Sequence, residues 1–142
     1  MKPFFSALLF VFLVSCSGNS VDDRNCRFLL DINVNFSIDL SLPQYSQLNF
    51  AGNSVYIANQ GNAGVIVAST GVDFYAWDAG DPNHALSDCS VISPSGLNGT
   101  CGCGDNNTYN FVTGTIAGNN GLKCPLKNYR VQKNGNSLLI FN

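Results

Sequence analysis

From Val34 to Ser41 apolar and polar residues alternate without a break. Val34, Phe36, Ile38 and Leu40 point one way, and Asn35, Ser37, Asp39 and Ser41 the other. A period of two is the pattern of a strand with one buried face, and Pro43, which has no N–H for a ladder, ends it. Shorter strand-like runs follow at 54–58, 64–69 and 72–78, separated by Gly-Asn and Thr-Gly turn pairs. In the last of these, Tyr75 and Trp77 alternate with Phe74 and Ala76, so all four read as core or sheet-face residues. Near the C-terminus, runs at 129–131 and 137–141 flank Lys133-Asn134-Gly135-Asn136, where Asn-Gly favours a tight hairpin. No stretch sustains a helical period. The pattern predicts an all-β domain, a small antiparallel barrel or sandwich, with a loop-rich segment from Ala79 to about Tyr109 set among its strands.

The beginning of the chain reads differently. Lys2 precedes an apolar run from Phe4 to Val14, a secretory signal peptide over residues 1–15 that is too short to span a bilayer. Leu13-Val14-Ser15-Cys16 resembles the lipobox of bacterial lipoproteins, which implies lipidation of the Cys16 sulfur with acyl chains such as palmitate. Residues 16–32 are then a lipidated tether that becomes ordered near Cys26, and residues 33–142 form the domain. At about 0.8 kcal/mol per buried CH₂, several acyl chains hold a domain on a membrane. The expected location is the bacterial cell envelope, outside the cytoplasm.

Charge narrows the partners. Without Lys2 the chain carries nine Asp, no Glu and six Lys or Arg, a net charge of −3, with no basic cluster. Nucleic-acid binding needs clustered cations to displace phosphate counterions, so that class is excluded. Export permits disulfides. With Cys16 lipidated, five cysteines remain, Cys26, Cys89, Cys101, Cys103 and Cys124, and an odd count leaves one thiol unpaired within the chain.

The inserted segment holds the only histidine, His84, and three of those cysteines, among Asp78, Asp81, Asp88 and Asp105. Its order is DAGDPNHALSDCS, a short hairpin, CGCGDNNTYNFVTGT, then PLKNYRV and NGNSLLI. This order, from about Val65 to Asn142, resembles a Rieske-type [2Fe–2S] domain, and in particular exported Rieske-like lipoproteins of Bacteroidetes-type bacteria. In such domains one loop carries Cys-x-His and a later Cys, and a second carries Cys-x-Cys-His-Gly. The resemblance implies that Cys101 matches a cluster cysteine, and that Cys103 and Cys89 match a disulfide pair joining the loops. It also places Asp81 where the other cluster cysteine stands, His84 one residue from a ligand position, and Gly104 at the site of a ligand histidine.

A count of donors points the same way. Rieske centres use two Cys on one iron and two His on the other, and this chain has one His. The expectation is therefore no cofactor, with a [2Fe–2S] cluster of unusual or partner-completed ligation as the alternative. Cys101 is left free or paired with Cys124 or Cys26, and Cys26–Cys124 is the preferred second bridge. A thiol beside carboxylates has its thiolate disfavoured. His84, Asp81, Cys101 and Asp105 together offer a zinc-compatible donor set, but Asp81 and His84 flank a Pro-Asn pair and a lone loop His is more often solvated or hydrogen-bonded, so no metal is expected.

A hydrolase fails on inventory, because His84 has no triad-like context and no Gly-x-Ser-x-Gly occurs. Asn35, Asn98 and Asn106 head Asn-x-Ser/Thr sequences, which the lipobox makes irrelevant. The expected function is non-enzymatic: a membrane-anchored Rieske-like module that binds an unidentified protein or small molecule through its former cluster loops. Electron transfer as a ferredoxin is the alternative.

Overall fold

The structure, a computed structural model, describes residues 26–118, 121 and 124–142. The signal peptide, Cys16 and the tether up to residue 25 lie outside the described residues.

Among the described residues, nine strands form two antiparallel sheets. They are β1 Asn35–Asp39, β2 Asn53–Ile57, β3 Val65–Ser69, β4 Phe74–Asp78, β5 Ile92–Ser95, β6 Asn98–Cys101, β7 Thr108–Asn110, β8 Asn128–Asn134 and β9 Ser137–Phe141. Six of them pair in the order β1-β9-β8-β4-β3-β2, and the other three in the order β5-β6-β7. The six-stranded sheet is curled. All six of its strands send side chains into one apolar cluster: Ile38, Leu138, Ile140, Tyr129, Ala76, Val65, Val67 and Val55. Edge strands at opposite ends of a flat sheet do not share a core. Leu48, on a single 3-10 turn at Ser46–Asn49, is wholly buried in the same cluster.

The apolar pattern explains which strand goes where. β1 alternates because only one of its faces is covered, so Ile38 is buried while Ser37 and Asp39 are not. β3 reads Val-Ile-Val-Ala-Ser without alternation because both faces are covered, and all five residues are buried. Val65 and Val67 enter the first core. Ile66 and Ala68 enter a second, with Trp77, Ala79, Ile92, Tyr109, Phe111 and Leu126. The alternation on β4 divides in the same way: Phe74 and Ala76 pack on the first core, Tyr75 and Trp77 on the second. Trp77 donates its indole N–H to the Phe111 carbonyl at 2.8 Å. Gly114 lies against this ring at φ +71°, and a Cβ there would sit 2.4 Å from the indole.

The segment expected to be loop-rich from Ala79 to Tyr109 is more ordered than its polar, glycine-rich sequence suggests. It folds as the β5-β6-β7 sheet, whose Ile92 and Tyr109 seal the outer face of β3 and β4. The terminal hairpin also differs in detail. Asn134 pairs with Ser137, so Gly135 and Asn136, rather than Asn134 and Gly135, form the turn, with Gly135 at φ +59°. Glycine adopts that conformation without the Cβ clash any other residue meets.

The described end of the tether is fastened down. The Leu30 N–H donates to Asn62 Oδ1, Asn62 Nδ2 donates to the Leu30 carbonyl, and Lys127 Nζ bonds both the Leu30 carbonyl and Asp31. Cys26 is disulfide-bonded to Cys124.

Candidate functional site

The two loops that carry the sequence's chemistry lie side by side. The first leaves β4 and runs to β5; the second joins β6 to β7. Backbone hydrogen bonds lace the first loop to itself, from the Asp81 N–H to the Ser90 carbonyl and from the Ile92 N–H to the Ala79 carbonyl. The Gly102 N–H reaches across to the Val91 carbonyl. A disulfide joins Cys89 to Cys103. This pair and Cys26–Cys124 are the two pairings named from the sequence. Cys101 is a buried free thiol, so its alternative bridges to Cys26 or Cys124 do not form.

Asp81 is the hub of the site. It is completely buried, and both of its oxygens are occupied by protein donors. Oδ1 accepts from the Tyr109 hydroxyl at 2.5 Å and from the Asn83 N–H at 2.8 Å; Oδ2 accepts from Asn107 Nδ2 at 3.0 Å. Asn83 extends the network, donating to the Tyr109 hydroxyl and to the Cys124 carbonyl, and accepting from the Cys124 N–H. One carboxylate thus ties the first loop to β7 and, through Cys124, to the segment bridged to Cys26. A buried carboxylate is tolerated only when hydrogen-bonded in this way.

Asp78 at the end of β4 is a second buried hub. Its Oδ2 accepts from the Tyr129 hydroxyl and from both the backbone and side-chain N–H groups of Asn62, and Oδ1 accepts from the Gly80 N–H. Burial, and then the adjacent carboxylate, raises the pKa of both phenols, so Tyr109 and Tyr129 keep their protons and remain donors.

The exposed chemistry is separate. His84 Nε2 meets Asp105 Oδ2 at 2.5 Å, with side chains 31 % and 41 % exposed. The hydrogen bond to Asp105 raises the His84 pKa above its ordinary value, and the same contact lowers that of Asp105. The Cys101 thiol is pushed up to about 11, chiefly by burial and secondarily by Asp81 and Asp105. The carboxylates that the sequence suggested would suppress its thiolate are thus the smaller cause.

The zinc-compatible set of His84, Asp81, Cys101 and Asp105 requires correction. Asp81 is spent on Tyr109, Asn83 and Asn107, and the donors that do converge are His84, Cys101 and Cys103, all within 4.8 Å of one another. Cys103 is bonded to Cys89, and a disulfide sulfur is not a thiolate ligand.

A Rieske cluster fits these residues no better. The four positions implied by the resemblance supply one thiol at Cys101, one imidazole at His84, a committed carboxylate at Asp81 and no side chain at Gly104. Gly104 is exposed, and a Cβ built there meets nothing within 4 Å. Sequence reasoning missed Tyr109, Asn83 and Asn107 as site residues. Asp81-Pro82-Asn83 carried a readable signal, because an Asp side chain that accepts the N–H two residues on is an Asx-turn. Nothing local pointed to Tyr109 or Asn107.

No protein-family model and no curated protein matches the chain. Among solved structures, a chain in the complex of reduced oxygenase and oxidized ferredoxin in carbazole 1,9a-dioxygenase superposes with a TM-score of 0.53 at 18 % identity, over 76 % of this chain and 93 % of that one. The ferredoxin of carbazole 1,9a-dioxygenase from Nocardioides aromaticivorans IC177 gives 0.48 at 19 % identity, over 77 % and 94 %. The second score carries no weight, and identities this low speak to fold alone. The chain has a Rieske-like ferredoxin fold, with two antiparallel sheets and its paired loops in the expected order.

Proposed function

We propose that this chain is a cluster-free Rieske-like domain, anchored through lipid at Cys16 outside the cytoplasm, that works as a non-enzymatic binding module. The observation that carries this reading is Asp81. It stands where the resemblance implies a cluster thiolate, and its buried carboxylate is saturated by Tyr109, Asn83 and Asn107. That hydrogen-bonded hub does the bracing a cluster does elsewhere. The disulfide between Cys89 and Cys103 holds the exposed stretch 85–89 and the exposed residues 102 and 104–106 together as a recognition surface for a protein or small-molecule partner.

Electron transfer is the second reading, favoured by the fold likeness to a ferredoxin chain. Visible absorption with iron and sulfide analysis separates the two, on protein made in an iron-replete host. The binding reading expects colourless protein without stoichiometric iron; a brown protein with a reducible paramagnetic iron signal overturns it. Anchoring is tested independently. Cys16→Ser should move the domain from the membrane to the soluble fraction, and its persistence on salt-washed membranes would count against the lipobox.

A further inference from the structure

Among the described residues, three metal-ligating side chains gather in one place: the His84 imidazole, Cys101 Sγ and Cys103 Sγ, mutually within 4.8 Å. Tetrahedral zinc holds sulfur at about 2.3 Å and imidazole nitrogen at about 2.0–2.1 Å, so its ligand atoms stand about 3.5–3.8 Å apart. The donors therefore need to close by at most about 1.3 Å. A fourth sulfur starts beside them, because Cys89 is bonded to Cys103.

His84 is already oriented, since Asp105 holds its Nε2. A carboxylate on one ring nitrogen is the usual support for an imidazole that binds metal through the other. The exposed residues Gly102 and Gly104 flank buried Cys103, which gives an ion a short path inward. Only the bridge blocks the site.

We propose that the Cys89–Cys103 disulfide gates a soft-metal site. Once it is reduced, the loop pair binds one zinc-class divalent cation through Cys89, Cys101, Cys103 and His84. The reductant is a dithiol. Its two sulfurs close into a disulfide as Cys89 and Cys103 become thiols, two electrons and two hydrogens passing between them. Metal binding then releases one proton from each of the three thiols and takes neutral His84. Exchange with a disulfide of the same class re-forms the Cys89–Cys103 bridge and expels the ion: the incoming disulfide takes the two electrons and two protons to become a dithiol, and Cys101 takes back its proton. Three thiolates and one imidazole suit zinc, whereas a fully oxidised loop pair offers one thiol and one imidazole.

The inference goes beyond the binding reading and fails separately from it. That reading turns on the colour of the protein as isolated, this one on a change after reduction.

The test is a titration of the purified chain with Co²⁺, followed by visible absorption, before and after anaerobic reduction with a phosphine. The reduced protein should bind one equivalent, develop the intense ligand-field bands of a tetrahedral thiolate site, and lose the ion to zinc. Its apparent Kd should be at least about 100-fold lower than that of the oxidised protein. Cys101→Ser and His84→Ala should each weaken binding to the reduced protein and change the bands.

Because reduction also opens Cys26–Cys124, Cys89→Ala provides a second route. Its loop bridge is absent without any reductant, and it should bind cobalt through the three remaining donors, more weakly than reduced wild type and more tightly than oxidised wild type. Equal binding by oxidised and reduced protein, or a Cys101→Ser variant indistinguishable from wild type, overturns the proposal. So does failure of both reduced wild type and Cys89→Ala to bind.

Discussion

Replacing Tyr109 by Phe removes a single oxygen and leaves the ring that fills the second core. No cavity forms, so the loss reports hydrogen bonding. The hydroxyl donates to Asp81 Oδ1 at 2.5 Å and accepts from Asn83 Nδ2 at 2.9 Å. Without it Asp81 keeps two donors, the Asn83 N–H and Asn107 Nδ2, and Asn83 Nδ2 keeps the Cys124 carbonyl. A hydrogen bond to a charged group contributes about 1.5–3 kcal/mol, and a buried carboxylate left short of a donor has no water to replace it. The expected loss is about 2–3 kcal/mol.

The second hub serves as an internal comparison. Tyr129→Phe leaves Asp78 with three donors, the two N–H groups of Asn62 and the Gly80 N–H. Its loss should be smaller, about 1–2 kcal/mol. Urea unfolding measures both, and an unchanged slope would show that only stability moved. If Tyr109→Phe costs less than about 0.5 kcal/mol, or less than Tyr129→Phe, Asp81 is not the hub described above, because a surface substitution costs as little.

The two bridges should contribute unequally. On the chain-entropy model, opening Cys26–Cys124, at a separation of 98, costs about 4.7 kcal/mol, and opening Cys89–Cys103, at a separation of 14, about 3 kcal/mol. Non-reducing peptide mapping checks the pairings, and urea unfolding of Cys26→Ser/Cys124→Ser and Cys89→Ser/Cys103→Ser checks the order. The His84–Asp105 pair predicts a pH window. The raised His84 pKa stabilises the fold fully below the ordinary 6.5 and is lost as pH climbs through the folded value. The lowered Asp105 pKa stabilises above the ordinary 3.8 and is lost as pH falls through its own. The pair therefore acts fully between those two values. As the only histidine, His84 gives a single imidazole titration by NMR. Its midpoint should lie above 6.5 and should fall in Asp105→Asn and in high salt; an unmoved midpoint in Asp105→Asn refutes the contact.

How much of this was legible along the chain depended on how far apart the interacting residues lie. The alternation at Val34–Leu40 was enough to identify β1, because a strand with one covered face writes its own period. The β8–β9 hairpin was equally readable, since its partners are close in sequence and Gly135 marks the turn. The apolar run Val65–Ala68 of β3 showed a strand, but not that the β5-β6-β7 sheet covers its outer face. Nor does any local pattern say that β1 pairs with β9 and β4 with β8.

The site shows the same limit more sharply. The residue types at Asp81, His84, Cys101 and Gly104 sufficed to count donors and to find them too few for a Rieske cluster. What Asp81 does was beyond the sequence. A carboxylate in a polar loop reads equally well as a metal ligand, a solvated charge or a buried acceptor, and those states differ only in what surrounds it. Its decisive partners, Asn107 and Tyr109, lie 26 and 28 residues away. They reach it because the three-stranded sheet folds back over β3 and β4, burying the carboxylate and leaving it no donors but theirs and the nearby Asn83 N–H. Burial and long-range hydrogen bonding are properties of the packed chain, and they alone turned a position that resembles a cluster ligand into the hub of its loops.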